Sequence, residues 1–258
     1  MELHQIKAYI TYWLDAVNRY SLHSPFVFDF YHQVLKKESA ENFQPIEKLR
    51  DDLINSKRKI RVDDFGSKRK KYHQQERGLS EITKQSAVEA RFGKLYNRIV
   101  KYTKAKHIIE LGTSLGIGTA YLAWNHTETV NTFEACAQTA HEARFNFEYL
   151  NLKNIEVHTG EIENTLPKYL VESKKIDLAL IDANHNYEPT LRYFKWILGR
   201  CHLASIVIIH DIHQSAAMEK AWQEIKKNEQ VYCSIDLFHC GLIFFDPALN
   251  KQHHILQF

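Results

Sequence analysis

Glu110, Gly112, Gly116 and Gly118 follow the apolar run that begins at Ile108, in the pattern E-x-G-x-x-x-G-x-G. A buried strand, a turn whose glycines let the backbone approach a ligand, and then a helix is how open α/β sheets hold nucleotides. The spacing departs from the G-x-G-x-x-G turn that grips a dinucleotide pyrophosphate, and an acid at the strand end suits a cofactor with a cationic amino-acid end. Further on, Asp182-Ala183-Asn184-His185-Asn186-Tyr187 and His210-Asp211-Ile212-His213 follow two more apolar runs and supply two aspartates and three histidines. Carboxylates of this kind hold divalent cations, and an imidazole near its ordinary pKa accepts a proton at neutral pH.

These residues need a sheet that brings strand ends together. Val130-Asn131-Thr132-Phe133-Glu134 reads as a second strand, and Glu134 stands roughly 20 residues past the loop, where such folds place a carboxylate on a ribose diol. A helical stretch from Ala137 to Leu150 leads to a third strand at Ile155 to His158, followed by Thr159-Gly160-Glu161. The fourth and fifth strands, Ile176 to Asp182 and Ala204 to Asp211, are apolar almost throughout, as parallel strands buried on both faces should be. Any one of these acids, taken singly, reads better as a solvated strand end or a helix N-cap, and the histidines have helix capping and backbone bonding at strand ends as an alternative. Four strands each delivering a carboxylate at one sheet edge make a constellation, because ligands in open α/β sheets bind beyond the carboxyl ends of the strands. Val231 to Leu237 and Gly241 to Phe245 are separated by three residues, too few for a helical crossover, so the last two strands must pair antiparallel.

The glycine loop, the spaced strand-end acids and the antiparallel final pair resemble class I S-adenosylmethionine (SAM)-dependent methyltransferases, over roughly Ala87 to Phe258, about two thirds of the chain. The resemblance implies an α/β, Rossmann-like seven-stranded sheet of order 3-2-1-4-5-7-6 with strand 7 antiparallel, carried by residues 87–258, with residues 1–86 as an N-terminal helical and basic extension acting as a substrate cap or lid. It implies SAM as cofactor. Glu110, Gly112, Thr113, Ser114, Gly116 and Gly118 would hold the methionine end, Glu134 and Ala135 the ribose, and Gly160 and Glu161 the adenine, with Asp182 beside them. The D-x-x-H-x-Y and H-D motifs resemble the subset that methylates oxygen, in several of which carboxylates at these two positions hold a divalent cation, magnesium or manganese. Asp182 and Asp211 match that pair. Relatives of the catechol type follow the fifth-strand aspartate with an asparagine ligand, whereas this chain has Ile212, so the third ligand falls to His213, with His185 or Asn184 as alternatives. Without a metal, His185 or His213 would serve as general base beside Asp182.

At 258 residues and 44% hydrophobic, the chain can bury a full core. No long apolar span or signal peptide is evident, which places it in the cytoplasm. Cys136, Cys201, Cys233 and Cys240 lack metal-ligand spacing and read as structural thiols. Ile6, Ile10, Trp13, Leu14 and Val17 recur at helical spacing and are expected to pack into the core; Ser24-Pro25 should start a second helix. From Lys48 to Arg77 there are 11 Lys or Arg against five acids, with runs at Lys57 to Lys59 and Lys68 to Lys71. This stretch reads as a solvated surface, a lid over the cofactor, or a phosphate-contacting patch for RNA. The net charge is only +3, and Phe65 and Tyr72 are the only nearby aromatics for stacking. A small-molecule acceptor is therefore the first expectation. RNA methylation through residues 57–71 and a non-catalytic module that keeps the fold are the alternatives, and a homodimer is left open.

Overall fold

The computed structural model describes residues 3–63 and 74–258. The basic run Lys68 to Lys71, with Phe65 and Tyr72, lies outside the described residues. In chain order the elements are α1 (Leu3–Asp15), α2 (Pro25–Phe30), α3 (Gln44–Ile54), β1 (Lys59–Asp63), β2 (Gln74–Gly78), α4 (Leu79–Ser86) and α5 (Ala90–Thr103). Then follow β3 (Ile108–Leu111), α6 (Ile117–Ala123), β4 (Val130–Glu134), α7 (Ala137–Tyr149), β5 (Ile155–Thr159) and α8 (Ile162–Glu172). The last part holds β6 (Ile176–Ile181), α9 (Tyr187–Leu198), β7 (Cys201–His210), α10 (Ala216–Lys226), β8 (Cys233–Asp236), β9 (Cys240–Phe244) and β10 (Gln252–Ile255). The chain forms two compact units, Glu38–Glu172 and Met1–Lys37 with Ser173–Phe258.

In the Glu38–Glu172 unit, β4 runs parallel to β3 on one side and to β5 on the other, with Leu111 opposite Phe133 and Glu134 opposite Thr159. All four residues of β3 are buried, and its aliphatic side chains Ile108, Ile109 and Leu111 each contribute about 1.5–3 kcal/mol by leaving water. Helix α5 ends on Lys104 in the left-handed conformation, φ 51°, which turns the chain into β3. The basic stretch holds an antiparallel hairpin, with Ile60 opposite Arg77 and Asp63 opposite Gln74. Val62 and Asp63, between the two basic runs, are strand residues there. Arg58 is tied down by Glu142, Nη2 to Oε1 2.6 Å.

In the other unit β6 is parallel to β7, β7 antiparallel to β9, β9 antiparallel to β8, and β8 parallel to β10. The two units thus hold the 3-2-1 and 4-5-7-6 portions of the expected order, and the seventh strand, β9, is antiparallel as its short connection requires. The fold is α/β and Rossmann-like. It departs from the expectation by one more strand, β10, whose polar sequence Gln252-His253-His254-Ile255 gives little strand signal. Gly241 in β9 is required by packing: a Cβ there would lie 2.4 Å from the Trp222 ring.

Ser24 caps α2, its Oγ accepting the Val27 N–H at 3.5 Å with Pro25 at the first helical position, and the chain continues through π-type turns to Leu35. Helix α1 forms but faces the wrong way for the expected core role. Ile6, Ile10, Trp13 and Leu14 are 44%, 52%, 64% and 68% exposed, and Ala8 is its one buried residue. The expectation that this stripe joins the core is corrected. Among the described residues no helix is long and apolar enough to cross a membrane.

Candidate cofactor and acceptor sites

The glycine loop between β3 and α6 is held by groups beneath it. Gly112 N–H donates to the Phe133 carbonyl at 2.9 Å, with Gly112 at φ 98°, a conformation that disfavours any side chain. Gly116, at φ 84°, is doubly constrained, because a Cβ would also lie 2.4 Å from the Phe147 ring. Asn146 Nδ2 donates to the Leu115 carbonyl at 2.9 Å and braces the turn from α7.

Glu110 is buried, and its Oε2 accepts from Thr132 Oγ1 at 2.6 Å and from Thr119 Oγ1. Thr132 Oγ1 also lies 2.7 Å from Thr113 Oγ1, so one small hydroxyl network fixes the acid and the start of the loop together. Glu134 reaches across from β4. Its Oε2 accepts the Ser114 N–H at 2.8 Å and its Oε1 the Cys136 N–H at 2.9 Å, while Ser114 holds a left-handed φ of 48°. Burial pushes the Glu134 carboxyl up from its ordinary pKa, while the N–H groups of Cys136, Ser114 and Ala135 partly oppose that shift. A carboxylate has about four lone-pair sites, so these bonds leave capacity for a diol. Gly160, φ 130°, donates its N–H to the Glu134 carbonyl at 2.9 Å, and Glu161 precedes α8, its Oε2 accepting from the Asn164 side-chain amide at 3.0 Å.

The supports Thr119, Thr132, Asn146 and Ser86, whose Oγ lies 2.6 Å from that of Ser114, escaped the sequence reading. A hydroxyl on a helix or strand carries no distinctive spacing.

In the other unit, Asp182, His185 and Asp211 each offer a ligand atom, and these atoms all lie within 4.8 Å of one another. His185 Nε2 is 3.5 Å from Asp182 Oδ1, and its Nδ1 is 3.9 Å from Asp211 Oδ2. Only one His185 nitrogen can serve as a ligand, and a cation held at about 2.0–2.2 Å would draw the three donors together to roughly 3–4 Å. Two carboxylates and one imidazole suit magnesium, manganese, iron or zinc. Asn184, His185 and Asp211 have φ of 66°, 40° and 56°. Backbone held in this sparsely populated region concentrates at functional sites.

His210 lies beside the cluster, Nδ1 3.2 Å from Asp182 Oδ1 and 3.5 Å from Asp211 Oδ1. Burial opposes a charge on His210, but the Asp182 and Asp211 carboxylates outweigh it and hold the imidazole pKa well above its ordinary value. Burial likewise opposes the Asp182 charge, and His210 and His185 more than compensate, so its pKa is lowered.

His213 does not join the group. Its Nε2 is 2.9 Å from Asp236 Oδ2, its ring stacks on Phe238, and it is nearly buried. Asp236 also accepts from Trp222 Nε1 at 3.2 Å and from the Phe238 N–H at 2.8 Å. Of the expected ligand set Asp182, Asp211 and His213, the structure brings the aspartates together with His185 instead. The four cysteines are free, and burial pushes the Cys201 and Cys233 thiols up to about 12, in keeping with structural thiols.

Residues 109–212 match the model of a family described as a methyltransferase domain. Among curated proteins no relative matches the chain. Similar solved structures include an O-methyltransferase from Bacillus cereus in complex with S-adenosylhomocysteine, at TM-score 0.56 and 18% identity, covering 86% of this chain and 98% of that one. An O-methyltransferase of tomaymycin synthesis from Streptomyces achromogenes, in complex with SAM, aligns at TM-score 0.53 and 17% identity over 62% of this chain and 82% of its own. A methyltransferase from Podospora anserina with bound S-adenosylhomocysteine gives TM-score 0.56 at 13% identity, over 81% and 99%. At these identities the likeness is one of fold, and it agrees with the family match over the strands that carry Glu110, Glu134, Asp182 and Asp211. Fold, loop geometry and domain match together make the chain similar to class I SAM-dependent methyltransferases over residues 109–212.

Proposed function

We propose that the chain transfers the methyl group of SAM to a hydroxyl oxygen of a small molecule, with a divalent cation at Asp182, His185 and Asp211. The observation that carries this reading is that three-residue cluster, built on the ends of β6 and β7 with strained backbone on both sides. The structural neighbours described as O-methyltransferases support the oxygen acceptor. Glu110, Gly112, Thr113, Ser114, Gly116 and Gly118 bind the methionine end, Glu134 and Ala135 the ribose, Gly160 and Glu161 the adenine. Residues 1–86 carry acceptor selection.

Methyl transfer is an in-line displacement at a sulfonium carbon. The acceptor O–H gives up its proton, the oxygen bonds the methyl carbon, and the C–S pair returns to sulfur as S-adenosylhomocysteine leaves. The sulfonium is already activated, so the protein's task is to align the acceptor and take its proton. A bound divalent cation lowers the acceptor hydroxyl's pKa. His185 can take the proton only when no cation is bound to it, its Nε2 then lying 3.5 Å from Asp182 Oδ1; as a cation ligand its lone pair is committed and the acceptor proton leaves to water.

A second reading rests on the buried Asp236–His213 pair. Asp236 fixes Nε2, and Nδ1 has no hydrogen-bond partner among the described residues, which is how a carboxylate readies an imidazole as a metal-independent base. Manganese titration followed by electron paramagnetic resonance separates the two. The metal reading predicts one bound Mn(II) per chain, lost in Asp211→Asn. Equal binding by both proteins, or none by either, would leave the metal reading without support and favour His213.

A further inference from the structure

Helix α1 is amphipathic and docked by its polar side. His4 Nε2 pairs with Glu219 at 3.0 Å, Gln5 Nε2 donates to the Gln214 carbonyl at 3.2 Å, and Tyr12 Oη donates to the Leu256 carbonyl at 2.6 Å. Tyr9 and Tyr12 lay their rings against Phe238, with centroids 5.1 and 5.3 Å away. Ala8, just before Tyr9, is buried. A surface helix ordinarily turns its apolar stripe to its own core. Here the stripe of Leu3, Ile6, Ile10, Trp13 and Leu14 points outward, between 44% and 70% exposed.

From this inversion we infer that α1 is a self-association surface, on which the α1 of a second copy of this chain packs antiparallel about a two-fold axis. Leu3, Ile6, Ile10 and Trp13 follow the alternating three- and four-residue spacing of a helix-pairing seam. That spacing is symmetric about Ala8. In an antiparallel pair centred there, Leu3 meets Trp13 and Ile6 meets Ile10, so every seam position finds an apolar partner on an identical helix. A two-fold interface requires this self-complementarity.

The area is also adequate. The five side chains expose on the order of 600 Å² per copy, at the upper end of what monomers leave open. Two copies would cover about 1,200 Å², the lower edge of a stable interface. A lipid surface fits less well, because the charged residues beside the stripe, Lys7 and Asp15, are of opposite sign, whereas helices that lie on anionic membranes carry a basic polar face.

Sedimentation equilibrium of the full chain tests this. At micromolar concentration the expected mass is twice that of the chain, and Ile10→Glu, which touches no contact of the docked face, should weaken the dimer about 100-fold or more while leaving the circular dichroism spectrum unchanged. A spin label on Asp15→Cys should give an intermolecular distance of about 20 Å or more in an antiparallel pair, against roughly 10 Å in a parallel one. A monomer at all concentrations overturns the inference. So does a dimer indifferent to Ile10→Glu, a parallel distance, or a monomer that pellets with phosphatidylserine vesicles.

Discussion

Replacing Asp211 by Asn should lower kcat by about a thousandfold or more while leaving the affinity for SAM within about threefold, because a cation that activates the acceptor is worth several kcal/mol in the transition state alone. Asparagine keeps the shape of the side chain and tolerates the left-handed φ of 56° at this position, so the loop should survive the change. The residual activity should no longer respond to a chelator. The measurement is steady-state turnover on any acceptor the wild-type protein methylates, paired with calorimetric titration of SAM. Turnover within tenfold of wild type would remove Asp211 from the chemistry. Loss of turnover in His213→Gln, with no effect of chelator on either protein, would transfer the role of base to the Asp236–His213 pair.

The second large effect is expected at Glu134. Its carboxylate orders the glycine loop through the Ser114 and Cys136 N–H groups, and under the proposed function its remaining lone pairs take the ribose diol. Charge-assisted hydrogen bonds contribute about 1.5–3 kcal/mol each, so Glu134→Ala should weaken SAM binding about 100-fold. Glu134→Gln keeps one acceptor oxygen and should fall between the two. Calorimetry reads both values. The loss should appear in KM for SAM more than in kcat, since the ribose bonds are much the same in the bound substrate and the transition state. A dissociation constant within threefold of wild type in Glu134→Ala would contradict the assignment of this strand end to the ribose.

Strands β6 and β7 could be read from the sequence because burial on both faces leaves continuous apolar runs such as Ile206-Val207-Ile208-Ile209. The antiparallel β9 followed from chain length alone, since three residues cannot carry a crossover. Other features depend on contacts between residues far apart in sequence. Hairpin β1–β2 is built from Lys59-Ile60-Arg61-Val62-Asp63 and Gln74-Gln75-Glu76-Arg77-Gly78, where Ile60 and the half-buried Val62 are the apolar residues. Strand β10 exists because β8 offers it an edge.

The outward stripe of α1 shows the limit of periodicity. Spacing reveals that a helix has an apolar face but not what that face meets, and here Tyr12, His4 and Gln5 take the inner side.

The candidate site divides the same way. Glu110, the loop glycines, Glu134, Asp182 and Asp211 stood out because acids end apolar runs. The choice between His185 and His213 did not, since both lie within three residues of an aspartate. What separates them in the structure is Asp236, 23 residues beyond His213, which engages that ring, and the left-handed backbone at His185.

Transfer of a labelled methyl group from SAM into fractionated cell extract, with and without ribonuclease and chelator, tests the central claim most directly. Label should enter a ribonuclease-resistant small-molecule fraction and disappear when the chelator is added. Label in ribonuclease-sensitive material would make RNA the acceptor, and no label in any fraction would contradict methyl transfer itself.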